Sequence, residues 1–409
     1  MSAHLPPPTP EALAHSEMVA RRIRDEIEKS GGWIPFARYM ELALYAPGLG
    51  YYAGGAAKFG GAGDFVTAPE LSSLFGRTLA RVAAEVLRQT GGDILELGAG
   101  SGRLAVDVLG ELERLECLPA RYLILEVSPD LRQRQRALFT ELAPHLVECV
   151  VWLDALPAHF RGVILANEVL DALPVHLLHW TPEGVSERGV AWSGTGFAWA
   201  DRPIASPALA EAVARLPVTA SGRNGHSGAS RNPEATADWT PAFAGVTGSH
   251  AYLSEVNLAA PALIASLAGC LEQGVMLFAD YGFSRAGYYH PQRHQGTLKV
   301  HYRHHSLDAP FFLPGLADIT AHVDFTAIAE AAGAAGLDLL GYATQGRFLL
   351  DAGLLGLMST MTPGTPDYLR AAQAVQKLVQ PHEMGELFKV MVLGRGVEAP
   401  SACRRMDRL

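Results

Sequence analysis

The chain has 409 residues, of which 49% are hydrophobic and 18% charged, a composition typical of a globular protein rather than a disordered or fibrous one. Its formal net charge of −9 argues against a broad basic face that neutralises nucleic-acid phosphates, so no nucleic-acid partner is expected. The length allows one large domain with insertions or two ordinary domains, and we expect one core with additions.

The cysteines and the N-terminal residues give expectations about metal binding and the cellular compartment. Cys117, Cys149, Cys270 and Cys403 are scattered without a CxxC pair, which indicates neither a zinc cluster nor a disulfide framework. The N-terminal residues lack the apolar stretch of a signal peptide and the Arg-rich, acid-poor composition of a transit peptide. No apolar run approaches the ~20 residues of a membrane span. These features predict a soluble, cytoplasmic protein without a metal.

Residues 1–90 are expected to form a helical and loop region. Apolar residues at near-helical spacing predict a first helix, which Gly31 and Gly32 would end. A stretch that alternates glycines and aromatics then predicts a long structured loop, followed by a helix that begins near Ser72.

Residues 91–285 are expected to form the core. Five short apolar runs alternate with helix-length segments: DILELG, RYLILEV, CVVWLD, GVILANEV and GVMLFADYG. Such alternation is typical of βαβ units, so we predict a doubly wound α/β fold with a parallel sheet.

Two stretches interrupt this core. Residues 175–201 predict antiparallel strands joined by tight turns, which would either cover the sheet or form the interface of a homodimer. Residues 218–250 contain no Leu, Ile or Met and show no period, which predicts a disordered surface insertion, with a substrate lid as the less favoured alternative. In residues 286–409 we expect acceptor-side loops, a helix and a strand, and then a closing helix and strand that complete the sheet.

A glycine-rich turn follows the first strand of the core. Gly98, Gly100 and Gly102 lie between a strand and a helix, where backbone amides face an adenosyl or phosphate group. The sixth position of a dinucleotide fingerprint is Arg103 instead of glycine, which counts against NAD or FAD. Glu96 would repel a pyrophosphate but suits a ligand with an ammonium and a sulfonium. The pattern E-x-G-x-G-x-G resembles the first motif of class I S-adenosylmethionine methyltransferases.

The next two strands also end in acids. Glu126 follows the second strand, where a carboxylate accepts hydrogen bonds from both ribose hydroxyls of either an NAD or an S-adenosylmethionine ligand. Asp154 follows the third strand and would accept from the adenine amino group. A solvated strand end is the alternative for each acid, but three in this order after this turn favour an adenosyl ligand.

The fourth strand ends in ILANEVLDALPVH, at the sheet edge where ligands bind in open α/β folds. Methyl transfer requires a positioned nucleophile and a path for its proton, and Asn167, Glu168 and Asp171 are the candidates for these roles. A carboxylate at Glu168 would orient a guanidinium acceptor. The alternative is that Asn167 or Asp171 caps the N-terminus of a following helix. For Asp171 this interpretation has about the same weight as the catalytic one.

Nine blocks occur in chain order: GDFVTAPELSSLFG, ELGAGSGRL, EVSPDLRQRQ, NEVLDALPV, SEVN, DYGF, GTL, DITAHVDF and MGELFKV. They resemble the MidA family of class I methyltransferases, which includes the mitochondrial complex I assembly-factor methyltransferases. The resemblance implies a Rossmann-like fold with an N-terminal cap and inserted antiparallel strands. It also implies S-adenosylmethionine as the methyl donor and arginine in a protein, specifically a complex I subunit, as the acceptor.

The resemblance also implies roles for individual residues. The turn with Glu96 would hold the methionine moiety, Glu126 the ribose, and Asn167 with Glu168 the region near the methyl group. A lid over the cofactor would contain Gly63, Asp64, Thr67, Pro69 and Glu70, although Asp64 and Glu70 would instead cap turns and the helix near Ser72 in the alternative interpretation. The acceptor pocket would be lined by Glu255, Asp280, Tyr281, His322 and Asp324, although a lone histidine such as His322 more often has a structural role.

Three other functions compete with a protein arginine methyltransferase. A small-molecule methyltransferase would use the same donor. A non-catalytic assembly factor would use the fold to bind a partner, although nothing would then require intact cofactor motifs. A dehydrogenase is disfavoured by Arg103.

Overall fold

The computed structural model describes residues 5–54, 67–218 and 251–405. The helices are α1 (Pro10–Lys29), α2 (Phe36–Tyr45), α3 (Ala68–Leu71), α4 (Ser73–Thr90), α5 (Arg103–Arg114), α6 (Pro129–Leu142), α7 (Pro207–Ala214), α8 (Ala259–Cys270), α9 (Arg285–Tyr288), α10 (Phe325–Ala334), α11 (Gln345–Asp351), α12 (Leu354–Met358) and α13 (Pro366–Val379). The strands are β1 (Ile34–Pro35), β2 (Asp93–Leu97), β3 (Tyr122–Leu125), β4 (Val150–Leu153), β5 (Phe160–Asn167), β6 (His176–Thr181), β7 (Gly184–Trp192), β8 (Phe197–Arg202), β9 (Tyr252–Val256), β10 (Leu271–Phe283), β11 (Lys299–Tyr302), β12 (His305–Leu307), β13 (Asp318–Thr320), β14 (Val323–Asp324), β15 (Asp338–Thr344) and β16 (Phe388–Arg395).

A central sheet with the strand order β4-β3-β2-β5-β10-β16-β15 organises the molecule, and β14 pairs with the end of β10. The first five strands are parallel, while β16 runs antiparallel to both of its neighbours. The chain order reverses between β2 and β5, whose carboxyl ends pair at Leu97 and Ala166. Open α/β sheets bind ligands at such a switch point. The predicted doubly wound α/β fold is confirmed.

Helices cover both faces of this sheet. Along β2, Ile94 packs with α4 and α5 on one face, and Leu95 packs with α8 and α10 on the other. The side chains of both residues are fully buried. Because neighbouring strand residues point to opposite faces, an almost continuous apolar run is what a strand between two helix layers requires.

The two predicted helices of the N-terminal region are present with recognisable ends. Thr9 caps α1 by accepting from the amide of Ala12, and the helix stops before Gly31 and Gly32, both at positive φ. Ser72 caps α4 by accepting from the amide of Leu74. The capping residues were readable in the sequence, so the positions of these helices were predictable.

A second sheet contains the predicted antiparallel strands. β6, β7 and β8 form a meander, which β9 extends on one side and β1 on the other. Leu177 and Val190 pack against α2 on one face of this sheet, while Leu178 and Trp180 pack with Tyr252 on the other. Residues 175–201 therefore contribute to two hydrophobic clusters.

A third small sheet, β12-β11-β13, differs from the loop expected after Asp280. Tyr302 pairs with His305, so only Arg303 and His304 lie between these strands, at φ 45° and 64°. Two-residue hairpins of this kind normally carry Asn-Gly or Asp-Gly. The Arg-His dipeptide gave no such signal, which explains why the hairpin was missed.

The expectation of a disordered insertion at 218–250 concerns, from residue 219 on, residues outside the described ones. Within the parts of the chain that the structure describes, no helix is both long and apolar enough to cross a membrane.

Candidate functional site

A cavity of about 410 Å³ lies at the carboxyl ends of β2, β3 and β5. The described residues that line it are Tyr45, Tyr52, Thr67, Pro69, Glu70, Glu96, Leu97, Gly98, Ala99, Gly100, Ser101, Leu104, Leu125, Glu126, Val127, Leu131, Asn167, Glu168, Val169, Ala172, Leu173 and Leu263. This set contains four carboxylates and no lysine, arginine or histidine. Its electrostatic character therefore favours a cationic ligand.

The glycine turn forms one wall of the cavity. Gly98, Gly100 and Gly102 have φ values of 60°, 53° and 89°, a region that side-chain-bearing residues rarely adopt. Gly102 precedes α5, and a Cβ added to it would lie 3.2 Å from Cγ of Gln135. Gly102 itself is not among the lining residues, so it shapes the turn from behind.

Glu96 lies at the base of this turn. Its side chain is 2% exposed, and the Tyr122 hydroxyl donates to its Oε2 at 2.7 Å. Burial raises the pKa of Glu96 to about 7, and the tyrosine bond opposes that shift only in part. A carboxylate held in this way gains most from a ligand that brings a positive charge.

Glu126 is fixed by a network that the sequence did not reveal. Its Oε1 accepts from the amide of Ser128 at 2.9 Å, and its Oε2 accepts from Gln135 Nε2 at 3.3 Å. The same Nε2 donates to the carbonyl of Gly100 at 3.0 Å, while Trp152 Nε1 donates to Gln135 Oε1. Gln135 thus links the acid to the glycine turn. Burial raises the pKa of Glu126 as well.

Asp154 does not reach the cavity. Its side chain is 91% exposed and pairs with Arg132 Nη2 at 2.7 Å, outside the lining set. The predicted contact with adenine therefore has no support in the structure, because Arg132 holds the carboxylate on the outer surface at the end of β4. The apolar side chains of Val127 and Leu131, which do line the cavity, are better placed beside a flat aromatic base.

The segment expected to form a lid contributes in part. Thr67 and Pro69 line the cavity, and Glu70 Oε1 accepts a hydrogen bond from Ser101 Oγ in the glycine turn. Glu70 therefore joins α3 to the turn and does not act as an exposed cap. Gly63 and Asp64 lie outside the described residues.

Asn167 and Glu168 lie at the end of β5 and line the cavity. Glu168 has φ 52°, and its amide donates to the Ala279 carbonyl at 2.9 Å, which fixes this unusual conformation. Asn167 Nδ2 donates to Glu168 Oε1 at 3.2 Å, while Asn167 Oδ1 is buried without a partner among the described atoms. Burial and the charge of Asp171 raise the pKa of Glu168 to about 8.

Asp171 lies behind this pair, 4% exposed and outside the lining set. Its side chain forms a hydrogen bond with Tyr281, and burial raises its pKa to about 6. Its Oδ1 has no partner among the described atoms. No helix follows β5, since the chain turns directly toward β6, so the N-cap interpretation of Asn167 and Asp171 is wrong.

Asp280 determines the shape of the segment after Glu168. Its Oδ2 accepts from the amides of Val169, Leu170 and Asp171 at 3.1, 2.8 and 3.3 Å. A carboxyl group that accepts hydrogen bonds from three amides supplies the acceptors that these N–H groups do not find in the backbone of a turn. Asp280 is thus a positioning residue for the turn and does not line the pocket.

Asp280→Asn is expected to lower the free energy of unfolding by about 2 to 3 kcal/mol, because both carboxyl oxygens of Asp280 accept backbone N–H bonds and the NH2 group of asparagine cannot accept one. Urea unfolding with a fluorescence readout measures this difference. The exposed Asp338→Asn serves as the control, and an equal stability of both variants would contradict the role of Asp280.

The other residues expected around the acceptor are mostly structural. Glu255 is 1% exposed and accepts from the amides of Thr297 and Leu298 and from Tyr288. Asp324 caps α10 and pairs with Arg285. His322 packs edge-on against Tyr281, and burial lowers its pKa to about 4. None of these three side chains is among the residues that line the cavity.

Two lining residues, Tyr45 and Tyr52, were missed in the sequence. Their rings stack with centroids 5.4 Å apart and planes 22° apart. The Tyr45 hydroxyl donates to the Ala172 carbonyl at 2.9 Å, and the Tyr52 hydroxyl lies 3.0 Å from both carboxyl oxygens of Asp318. Both bonds join positions far apart in the chain, which local patterns do not reveal.

Comparison with known families identifies the chain. The family model for S-adenosyl-L-methionine-dependent methyltransferases matches residues 78–343. The chain belongs to this methyltransferase family. A Burkholderia thailandensis protein, whose crystal structure contains S-adenosyl-homocysteine, is 46% identical to this methyltransferase over 99% of both chains, with a TM-score of 0.88.

Two curated relatives are more distant. "Protein arginine methyltransferase NDUFAF7 homolog, mitochondrial" of Drosophila melanogaster is 28% identical over 96% of this chain and 90% of its own. The human protein arginine methyltransferase NDUFAF7 is 28% identical over 89% and 81%. Because these relatives are named mitochondrial, the expectation of a cytoplasmic location is wrong; the composition and the N-terminal residues on which it rested do not decide the compartment.

The cavity of this methyltransferase fits its donor. S-adenosyl-L-methionine carries an ammonium and a sulfonium, and the described lining residues offer four carboxyl groups and include no Lys, Arg or His. Glu96 would hold the ammonium, Glu126 the ribose, and the amides of the glycine turn the donor's carboxylate. When bound, the donor supplies an electrophilic methyl group.

Donor binding to the methyltransferase is expected to strengthen by about five- to tenfold from pH 6 to about pH 7.5, because a Glu96 with a pKa near 7 must ionise before it can pair with the ammonium. Titration calorimetry at both pH values measures the change. Glu96→Gln removes the titrating group and should bind weakly at both, so an unchanged pH dependence in this variant would contradict the assignment.

Proposed function

We propose that this methyltransferase transfers the methyl group to a guanidinium nitrogen of an arginine in a protein. The observation that carries the proposal is the pair Asn167 and Glu168 at the end of β5, where a carboxyl group and an amide oxygen without a partner among the described atoms meet in a cavity whose described lining contains no Lys, Arg or His. A guanidinium has five N–H donors and no acceptor, and it matches such oxygens in geometry and in charge.

Two further features support an arginine acceptor. Relatives that cover most of the chain are named protein arginine methyltransferases. Asp171, with its unpartnered Oδ1, adds a second carboxyl group directly behind Glu168. Asp171 does not line the cavity, so Glu168 would contact the guanidinium and Asp171 would add negative charge from behind it. The finer assignment that we propose for the acceptor is a subunit of respiratory complex I, on the family resemblance.

Glu168 has two tasks in this proposal. It accepts N–H bonds from the guanidinium and so turns one nitrogen toward the methyl group, which is the positioning that an in-line displacement needs. The nitrogen must also lose a proton as it gains a methyl group, and the carboxylate of Glu168 is close enough to the acceptor to receive it. Asn167 keeps Glu168 in place through its 3.2 Å bond.

The raised pKa values of Glu168 and Asp171 are compatible with the role of Glu168 as proton acceptor. Without an acceptor, burial and the charge of Asp171 keep the pKa of Glu168 near 8, and burial keeps the pKa of Asp171 near 6. A bound guanidinium favours the ionised form of both acids, so the base is generated when the acceptor arrives.

The test uses purified protein, S-adenosylmethionine with a radiolabelled methyl group, and lysate from a strain that lacks the gene. We expect label in a protein band, and methylarginine after acid hydrolysis of that band. Mass spectrometry of the band then decides whether it is a respiratory-chain subunit. Label only in a low-mass fraction would establish the small-molecule alternative, and donor binding without any transfer would establish the non-catalytic one.

A further inference from the structure

Tyr45 and Tyr52, the tyrosine pair, form a rigid aromatic wall of the cavity. Both rings are partly exposed to it, and they stack on each other with centroids 5.4 Å apart. Tyr51 packs edge-on against Tyr52 from behind, with centroids 5.0 Å apart and planes at 86°. Neither ring of the pair can rotate freely.

The hydroxyl groups of the tyrosine pair are occupied. Tyr45 donates to the Ala172 carbonyl, and Tyr52 donates to Asp318. Burial and the nearby charges of Asp318 and Asp171 raise the pKa of both phenols, so they remain neutral. What the pair offers to a ligand is therefore its π surface and not a proton or a hydrogen bond.

The charges around the pair determine what would bind to that surface. Asp171 and Asp318 both act on Tyr45, and Asp318 also acts on Glu168, so the pair lies among the same acids as the proposed acceptor site. An aromatic face among carboxyl groups attracts an organic cation, and the lining residues that the structure describes include no Lys, Arg or His to oppose it. Two such cations enter this site: the sulfonium of the donor and the charged group of the acceptor.

We infer that the tyrosine pair is a specificity wall on which the guanidinium of the acceptor stacks. A flat, weakly hydrated guanidinium gains from stacking on a ring, whereas an ammonium is compact and strongly hydrated. The wall would thus select arginine over lysine, while Glu168 orients the selected group. This inference rests on the proposed arginine acceptor and adds the residues that set its selectivity.

The test measures binding of methylguanidinium and of methylammonium to the full-length protein saturated with S-adenosyl-homocysteine, by ligand-observed NMR titration. The variants are Tyr52→Leu and Tyr45→Leu, which remove a ring, and Tyr52→Phe, which keeps the ring but loses the bond to Asp318. Tyr368→Leu, on α13 and outside the lining set, is the matched control. Circular dichroism confirms the fold of each variant.

Wild-type protein, Tyr368→Leu and Tyr52→Phe are expected to prefer methylguanidinium, and each leucine variant of the pair is expected to bind it about five- to tenfold more weakly. The affinity ratio of S-adenosylmethionine to S-adenosyl-homocysteine should stay unchanged in all variants. If that ratio falls while methylguanidinium binding is unchanged, the tyrosine pair binds the sulfonium of the donor and not the acceptor. This result would overturn the inference.

The remaining outcomes separate this inference from the proposed function. If both leucine variants still prefer methylguanidinium, the tyrosine pair does not select the acceptor, and the inference is wrong while the proposed function stands. Wild-type protein that binds methylguanidinium no better than methylammonium contradicts the proposed arginine acceptor itself.

Discussion

Glu168→Gln is expected to lower kcat by about a thousandfold while leaving the affinity for the donor unchanged. Glutamine has the same shape, and its Oε1 can still accept from Asn167 as the carboxylate does at 3.2 Å. What it lacks is the negative charge that orients a guanidinium and receives its proton. The loss should therefore appear in the transfer step and not in the fold.

Single-turnover methylation of the acceptor band, with donor affinity measured by calorimetry, separates the two effects. Glu183→Gln, at an exposed position in the turn between β6 and β7, is the matched control and should behave as wild type. A Glu168→Gln enzyme whose kcat lies within about threefold of wild type would remove Glu168 from the chemistry. Parallel loss of donor binding would show that the residue acts on the donor instead.

Gly100→Val is expected to abolish donor binding within the range of calorimetry. Gly100 lines the cavity at φ 53°, where a β-branched residue is strained, and its carbonyl accepts from Gln135 at 3.0 Å. A valine would bring strain and two methyl groups to the wall that faces the ligand. The change would also disturb the link through Gln135 to Glu126.

Gly110→Val provides a control within the next helix. Gly110 is in α5, and a Cβ added there meets no atom within 4 Å, so the variant should bind the donor as wild type does. Thermal unfolding of both variants shows whether the fold persists. Full donor binding by a folded Gly100→Val protein would exclude the glycine turn from the donor site.

Local sequence patterns predicted the α/β core and the ends of the N-terminal helices. The strand, turn and helix around Gly98 and the acids at Glu96 and Glu126 follow from local sequence, because each is fixed by residues within one βαβ unit. The end of α1 before Gly31 and Gly32 and the start of α4 after Ser72 were predictable for the same reason. Assignment of Glu96, Glu126, Asn167 and Glu168 to roles with the donor and the acceptor stays a prediction, as do the division into regions and the homodimer.

Contacts between distant segments were not predictable from one sequence. Asp154 occupies the expected strand end, but its salt bridge with Arg132 holds it outward, which no pattern at the strand end reveals. Gln135 lies on the face of α6 that happens to reach Glu126 and Gly100. Asp280 was expected to line the acceptor pocket because of the family resemblance, yet it accepts hydrogen bonds from the backbone of the turn after β5.

The strand β16 completes the central sheet although it follows both of its neighbours in the chain. It spans Phe388–Arg395 and lies between β10 and β15, so during synthesis this edge of β10 has no strand partner until β16 has been translated. The donor cavity borders β5, which pairs with β10 on its other side. A growing chain therefore contains the whole glycine turn long before β16 completes the sheet that supports it.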